Sequence, residues 1–358
     1  MEKTIKILSP LDGDMLNERD GKTVEGHRRI QVRVSAPAGC RVLINGTEAL
    51  CRDGEYSADI QLYSYANTIE VFEETSGYRE HITVYRLKSF AGKYRLSLDD
   101  TIWFLRDIAF NKEQYRSIFE NPYLGFLKKV HDAYGTKIHI NIYYQTEGFN
   151  LSQMPAKYKG EWRENAEWLR LSFHALQNEP DNPYVNAGYE EMRRDCEMVM
   201  EQVRRFAGEE LTGPVTTLHW GEATVEGCRA LRDAGFKCLV GDFNVDNELP
   251  PVSYYLEVEK RRHINKRFIW KDNREDIVFV RSSIIVDCHK LDAIAPFLNN
   301  VFEDPHKSAY VDLLIHEQYF YPYYTAYQPD YKEKVLTAVG WAVERGYKPA
   351  FLSECIFD

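Results

Sequence analysis

The sequence has no long apolar run. Nothing in its 358 residues approaches the ~18 consecutive apolar residues that cross a bilayer as a helix, and Met1 to Pro10 lack the apolar stretch of a secretory signal. The expectation is a soluble, cytoplasmic chain. Cysteine is sparse and unpatterned, seven residues with no C-x-x-C spacing, which argues against a disulfide framework or a zinc knuckle. Basic charge is also short: 45 Lys and Arg stand against 55 Asp and Glu, a formal charge of −10. The clustered cations on which nucleic-acid affinity rests are missing, so neither a nucleic-acid nor a membrane partner is expected. What remains is the make-up of an ordinary folded protein, 44% hydrophobic and 28% charged. At roughly 100–200 residues per domain the chain is long enough for two.

Up to about residue 88 the pattern is strand only. Alternating segments such as Ile30-Gln31-Val32-Arg33-Val34 and Arg41-Val42-Leu43-Ile44 are separated by Pro37, Gly39, Asn45-Gly46 and Asp53-Gly54. Period two with turn punctuation means antiparallel strands. If Asn45-Gly46 is a two-residue hairpin turn, Cys40 and Cys51 become cross-strand neighbours, the one disulfide the sequence suggests. The run Val42-Leu43-Ile44-Asn45-Gly46, with Gly54-Glu55-Tyr56-Ser57-Ala58 and Ala66-Asn67-Thr68-Ile69-Glu70-Val71, resembles bacterial immunoglobulin-like modules appended to carbohydrate-active enzymes. That resemblance implies a small all-β sandwich over 1–88.

From residue 89 apolar strands alternate with helical stretches, the signature of a β/α domain. Strands are expected at 94–99, 137–144, 168–174, 214–219, 237–241, 277–286, 310–316 and 348–353, and helices at 113–134, 187–207, 223–234 and 331–345. Asp99-Asp100, His174, His219 and His316 each fall at the C-terminal end of a predicted strand. In parallel β/α barrels that rim carries the active site. A polar residue can also simply stop a strand, but four strand ends together favour a site.

Residues 90–358 resemble the polysaccharide deacetylase superfamily, the NodB-like carbohydrate esterases. The match rests on Leu96-Ser97-Leu98-Asp99-Asp100, on Ser172-Phe173-His174, and on Leu218-His219-Trp220-Gly221 with the trailing Gly235-Phe236. Leu313-Leu314-Ile315-His316 and the closing Arg345-Gly346-Tyr347-Lys348-Pro349-Ala350-Phe351-Leu352 complete it. The resemblance implies a deformed β/α barrel of seven or eight strands over 89–358, and a hydrolase that removes an acyl group, N-acetyl by expectation, from a saccharide. It also implies a divalent metal, zinc being the expected ion, with Asp99 as base, Asp100 as a metal ligand and His316 as the proton donor.

Two departures bear on the metal. The family's second histidine lies four residues after the first, where this chain has Asn178, and the third motif opens on His219 instead of an arginine. The missing imidazole is therefore expected at His219, making Asp100, His174 and His219 the ligand set, with Asp181 the weaker substitute. Trp220, Tyr319 and Tyr321 are candidates for saccharide contact, since an aromatic body with a polar tip suits sugar faces. Two other readings stay open. One is an inactive barrel that binds glycan; the other is a metal-free glycosidase pairing Asp99 or Asp100 with Glu222 or Glu317.

Overall fold

The computed structural model describes residues 5–357. The chain forms two compact units. One runs up to Ala91 and takes in Ile269–Asp276 and residues 355–357, which the expected division at 88 puts in the second domain; the other comprises Gly92–Phe268 and Ile277–Glu354. The division lies three residues beyond the expected 88, and the segment 269–276 joins the first unit although the sequence reading assigns it to the second.

The first unit is built from two five-stranded sheets. Alternation drives it: His27–Ser35 buries every second residue, among them Val32 and Val34, against Ile44, Ile69, Val71 and Val84 in a single core. Asn45 and Gly46 take positive φ and close the hairpin of Val42–Ile44 with Thr47–Glu48. The Cys40–Cys51 pairing does not follow. After Glu48 the chain changes sheets, and Cys51 is paired with Tyr56 on Glu55–Leu62. Neither cysteine is in a disulfide. Trp270 bridges Asp14, and its indole N–H donates to the Asp12 carbonyl at 2.8 Å.

The second unit is mixed α/β with parallel strands in circular order. Lys93–Thr101 lies between Ile138–Tyr143 and Tyr310–His316, the last long strand pairing with the first. Leu169–Ala175 follows outside Ile138–Tyr143, while Val215–Thr217, Cys238–Gly241 and Ile277–Arg281 form a second parallel group. The two arcs are joined on both sides. On one, the expected strand 277–286 divides: its first part pairs with Cys238–Gly241, and Ser282-Ser283 carries the chain across to Ile284–Ile285, which pairs with Tyr310–His316. On the other, side chains replace the ladder. Thr216 Oγ1 bonds the Phe173 carbonyl, and the Thr217 N–H donates to Asn141 Oδ1 at 3.2 Å.

Helices expected at 187–207, 223–234 and 331–345 occur as Tyr189–Phe206, Val225–Asp233 and Tyr331–Glu344. The helix expected at 113–134 begins only at Pro122, capped by Asn121. Four others, Trp103–Phe110, Lys159–Glu164, Val258–Arg267 and Leu291–Glu303, escape the periodicity argument: the first two are short, the third buries only Ile264 and the fourth carries Pro296 inside. The expected strand 348–353 shrinks to Lys348–Pro349 before the short helix Leu352–Ile356.

The interior of the second unit is polar at its centre. Arg95, fully buried, donates through Nε to Asp312 at 2.6 Å and through Nη1 to His139 Nδ1 at 2.9 Å. Burial and the adjacent guanidinium push the His139 imidazole well below its usual pKa, so it is neutral and its Nε2–H is the donor to Ser172 Oγ at 2.7 Å. Ser172 donates to Asn141 Oδ1, and Asn141 Nδ2 donates to Asp99 Oδ1, both at 2.6 Å. Every donor in this chain points the same way, from a guanidinium toward the Asp99 carboxylate, and such aligned bonds polarise one another. Removing one buried partner strands a charge. Asp312→Ala is therefore expected to destabilise the protein by about 3–5 kcal/mol in urea unfolding, whereas pairing Arg95→Met with Asp312→Leu should recover most of that loss.

Candidate metal centre

Side chains alternate along a regular strand, so Asp99 and Asp100 should face opposite ways. The first strand avoids this with an extra residue. Leu98 is opposite Ile140, but Thr101 is opposite Ile142, and Asp100 sits at φ +56°. The next pair repeats the device: Ile142 is opposite Phe173 and Tyr143 opposite Ala175, leaving His174 as the extra residue. Bulges of this kind re-aim a side chain. His219 comes from a tight turn after Val215–Thr217, with Trp220 and Gly221 both at positive φ. A Cβ on Gly221 would stand 2.6 Å from Val252, so only glycine fits.

These features bring Asp100, His174 and His219 together, with one donor atom from each lying within 4.8 Å of the others. Asp100 Oδ1 is 3.0 Å from His174 Nε2 and 3.1 Å from His219 Nδ1. Donors around a tetrahedral zinc ion are spaced by about 3.3 Å. The far nitrogens are anchored on main chain: His174 Nδ1–H donates to the Thr217 carbonyl at 2.5 Å, and His219 Nε2–H to that of Asn178 at 3.0 Å. Each ring thereby turns its other nitrogen toward Asp100, the orientation that metal-ligating histidines are given by their outer partners. Burial works against ionising Asp100, but the hydrogen bonds with His174 and His219 hold its carboxyl well below the usual range. The donor set, one carboxylate and two oriented imidazoles, fits a divalent ion of the zinc type. Asp181 does not join it; it is exposed and accepts from Trp220 Nε1 at 3.2 Å.

Asp99 and His316 are register partners on neighbouring strands. Asp99 is buried, which raises its carboxyl above the ordinary value. His316 is held by Asp287, whose Oδ2 accepts from the His316 main-chain N–H at 2.6 Å and from its Nδ1–H at 2.9 Å. Burial opposes the imidazolium, but the Asp287 carboxylate prevails and lifts its pKa to about 10.

Glu317, which could have been a solvent-facing strand end, is fully buried. Its carboxylate accepts from the main-chain N–H groups of Ile102, Trp103 and Phe104 at 2.6–2.8 Å, and from Tyr321 Oη at 2.8 Å. It caps the unpaired N-terminus of Trp103–Phe110, with no lone pair spare for a glycosidase role. Glu222 is likewise engaged, accepting from the Ser253 N–H at 2.9 Å. Tyr321 is tied to Glu317, Trp220 to Asp181, and Tyr319 packs near His316 with ring centroids 6.1 Å apart. None of these three lines the cleft of about 430 Å³ beside Asp100; Trp103, Tyr324, Tyr143, Gln177 and Gln318 do.

The sequence reading missed Tyr143, Asn141, Gln318 and Asp242. Tyr143 ends a strand and Asp242 follows one, so the strand-end rule that selected the histidines applies to both. Burial raises the Asp242 carboxyl to about 6. Asn141 and Gln318 carry no such signal; only the folded chain brings Gln318 Nε2 to Asp100 Oδ2 at 2.8 Å.

No protein-family model matches the chain, and no curated protein does. Solved structures give distant likenesses. A 4-alpha-glucanotransferase from Thermococcus litoralis aligns with 74% of this chain at 14% identity and a TM-score of 0.45, the chain spanning 40% of that enzyme. Agd3, a carbohydrate deacetylase, aligns with 92% of this chain at 10% identity and 0.39, over 70% of its own length. Aspergillus clavatus Sph3, solved in complex with GalNAc, aligns with 69% of this chain at 12% identity and 0.36, over 98% of its own length.

Proposed function

We propose that this protein is a metal-dependent deacylase that removes an N-acyl group, acetyl in the first instance, from an amino sugar, on a NodB-like barrel with an immunoglobulin-like module before it. The observation that carries the reading is the oriented set Asp100, His174 and His219, with a buried carboxylate and an Asp-held histidine on adjoining strands. A divalent ion held there would polarise the acyl carbonyl and lower the pKa of water toward ~7. Asp99 takes a proton from the attacking water, whose oxygen joins the acyl carbon. The C–N bond then breaks, and the amine leaves with the proton of His316. The carboxylic acid passes its proton through solvent to the released amine, giving carboxylate and ammonium, and the proton left on Asp99 returns through solvent to His316. Asp287 keeps the imidazole charged and its Nε2 free for this transfer. Trp103 and Tyr324 present aromatic surface to the sugar in the cleft.

Metal analysis of the protein purified without chelator, followed by assay on N-acetylglucosamine and N-acetylgalactosamine oligomers, tests the reading. One equivalent of metal and release of acetate are expected. His174→Ala should lose the metal and keep the fold, and stoichiometric metal in that variant would refute the ligand assignment. Asp99→Asn and His316→Ala should retain metal while turnover falls by roughly 10²–10⁴-fold each. Binding of the oligomers without turnover by the metal-loaded protein would point instead to a glycan-binding barrel.

The Asp287–His316 pair sets the pH dependence. A raised folded pKa means the pair's contribution is complete below the ordinary histidine value near 6.5 and is lost as pH rises through about 10. The alkaline limb of the rate profile should accordingly lie well above 7. Asp287→Asn is expected to move that limb down toward the ordinary histidine value, with the acid limb unchanged.

A further inference from the structure

The Tyr143 hydroxyl stands among the proposed metal donors yet has no part in the acid–base scheme. Tyr143 is buried, and its ring lies 5.2 Å from that of His174 and 5.3 Å from that of His219. Its one proton faces three acceptors: Asp100 Oδ1 in close contact, His219 Nδ1 at 2.9 Å and Asn178 Oδ1 at 3.2 Å. A phenol can satisfy only one of them as donor. With an ion among the ligands, the lone pair of His219 Nδ1 is committed to it and Asp100 Oδ1 is shared with it, leaving the phenolic proton chiefly the longer contact with Asn178 Oδ1 at 3.2 Å, which a substrate oxygen can replace. The cleft supplies the place for one, since Tyr143 lines it together with Asp100 and Gln318.

We infer that Tyr143 is a catalytic residue, whose hydroxyl donates a hydrogen bond to the acyl oxygen of the substrate and strengthens it as that oxygen gains charge in the tetrahedral adduct. The inference rests on the deacylase reading above. Three observations carry it. The hydroxyl stands within hydrogen-bond reach of two proposed ligands, so a carbonyl brought to the ion is brought close to the hydroxyl. The ring is fixed by strand position and by contact with both imidazoles, so the donor is preorganised and needs no reorganisation during the reaction. Asn178, which occupies the family's second histidine position, orients the site from outside, its main-chain carbonyl accepting from His219 Nε2–H.

Tyr143→Phe removes the donor and keeps the ring. Loss of one donor to a developing oxyanion costs about 10²–10³ in kcat, and that is the expected fall on N-acetylhexosamine oligomers, with KM within a few fold of parental. A methylphosphonamidate of the same amino sugar, which mimics the tetrahedral adduct, should lose affinity by a comparable factor in calorimetry. Zinc content and thermal midpoint should be retained, which separates a donor from a residue that merely holds the fold. Parental kcat together with parental phosphonamidate affinity in Tyr143→Phe would overturn the inference. Loss of zinc from Tyr143→Phe would overturn it too, showing the oxygen to be a ligand. If the parental protein itself holds no metal and releases no acetate, it is the deacylase reading that fails, so the two failures are distinguishable.

Discussion

Strict alternation on parallel strands allows a rim to present only every second residue, and this centre requires more than that. The extra residues at Asp100 and His174 break the alternation where two neighbouring strands end. Asp99 remains in register beside His316 while Asp100 turns to meet both imidazoles. The cost is local: a non-glycine residue in the left-handed region is strained by about 1–3 kcal/mol. It is offset by the hydrogen bonds that Asp100 makes to Tyr143, His174 and Gln318.

Electrostatics supports the same geometry from below and from the side. From below, the aligned donors running from Arg95 through His139, Ser172 and Asn141 end on Asp99, and they replace apolar packing with a network that tolerates one arrangement of the strands. From the side, Glu317 turns the N-terminus of Trp103–Phe110 into a fixed wall of the cleft. Asp287 does the corresponding work for His316. Adjacent residues thus have different settings, His316 held by Asp287 beside Asp99 and Glu317 holding the wall.

Much of this was readable along the chain. Strand-only and strand-helix halves are separated by periodicity, and the strand-end positions of Asp100, His174, His219 and His316 follow from runs of apolar residues ending in a polar one. The expectation that His219 would stand with Asp100 and His174 came from the resemblance and its departure at Asn178, and the three side chains do meet. Tyr321 shows the opposite case. An aromatic in a tyrosine-rich segment looks like a sugar contact, but its hydroxyl is taken by Glu317, a partner four residues away whose burial no local pattern announces.

What the sequence by itself determined is the order of the main strands and the polar residues that close four of them, because both depend on hydrophobic period and on which residue closes each strand. The tertiary structure alone decided which rim groups meet. Bulge positions, the sheet change after Glu48, the attachment of 269–276 to the first unit and the burial of Glu317 all depend on contacts between residues far apart in the chain. Such contacts leave no periodic trace, since each is satisfied by a single partner whose position is fixed only when the strands have closed on one another.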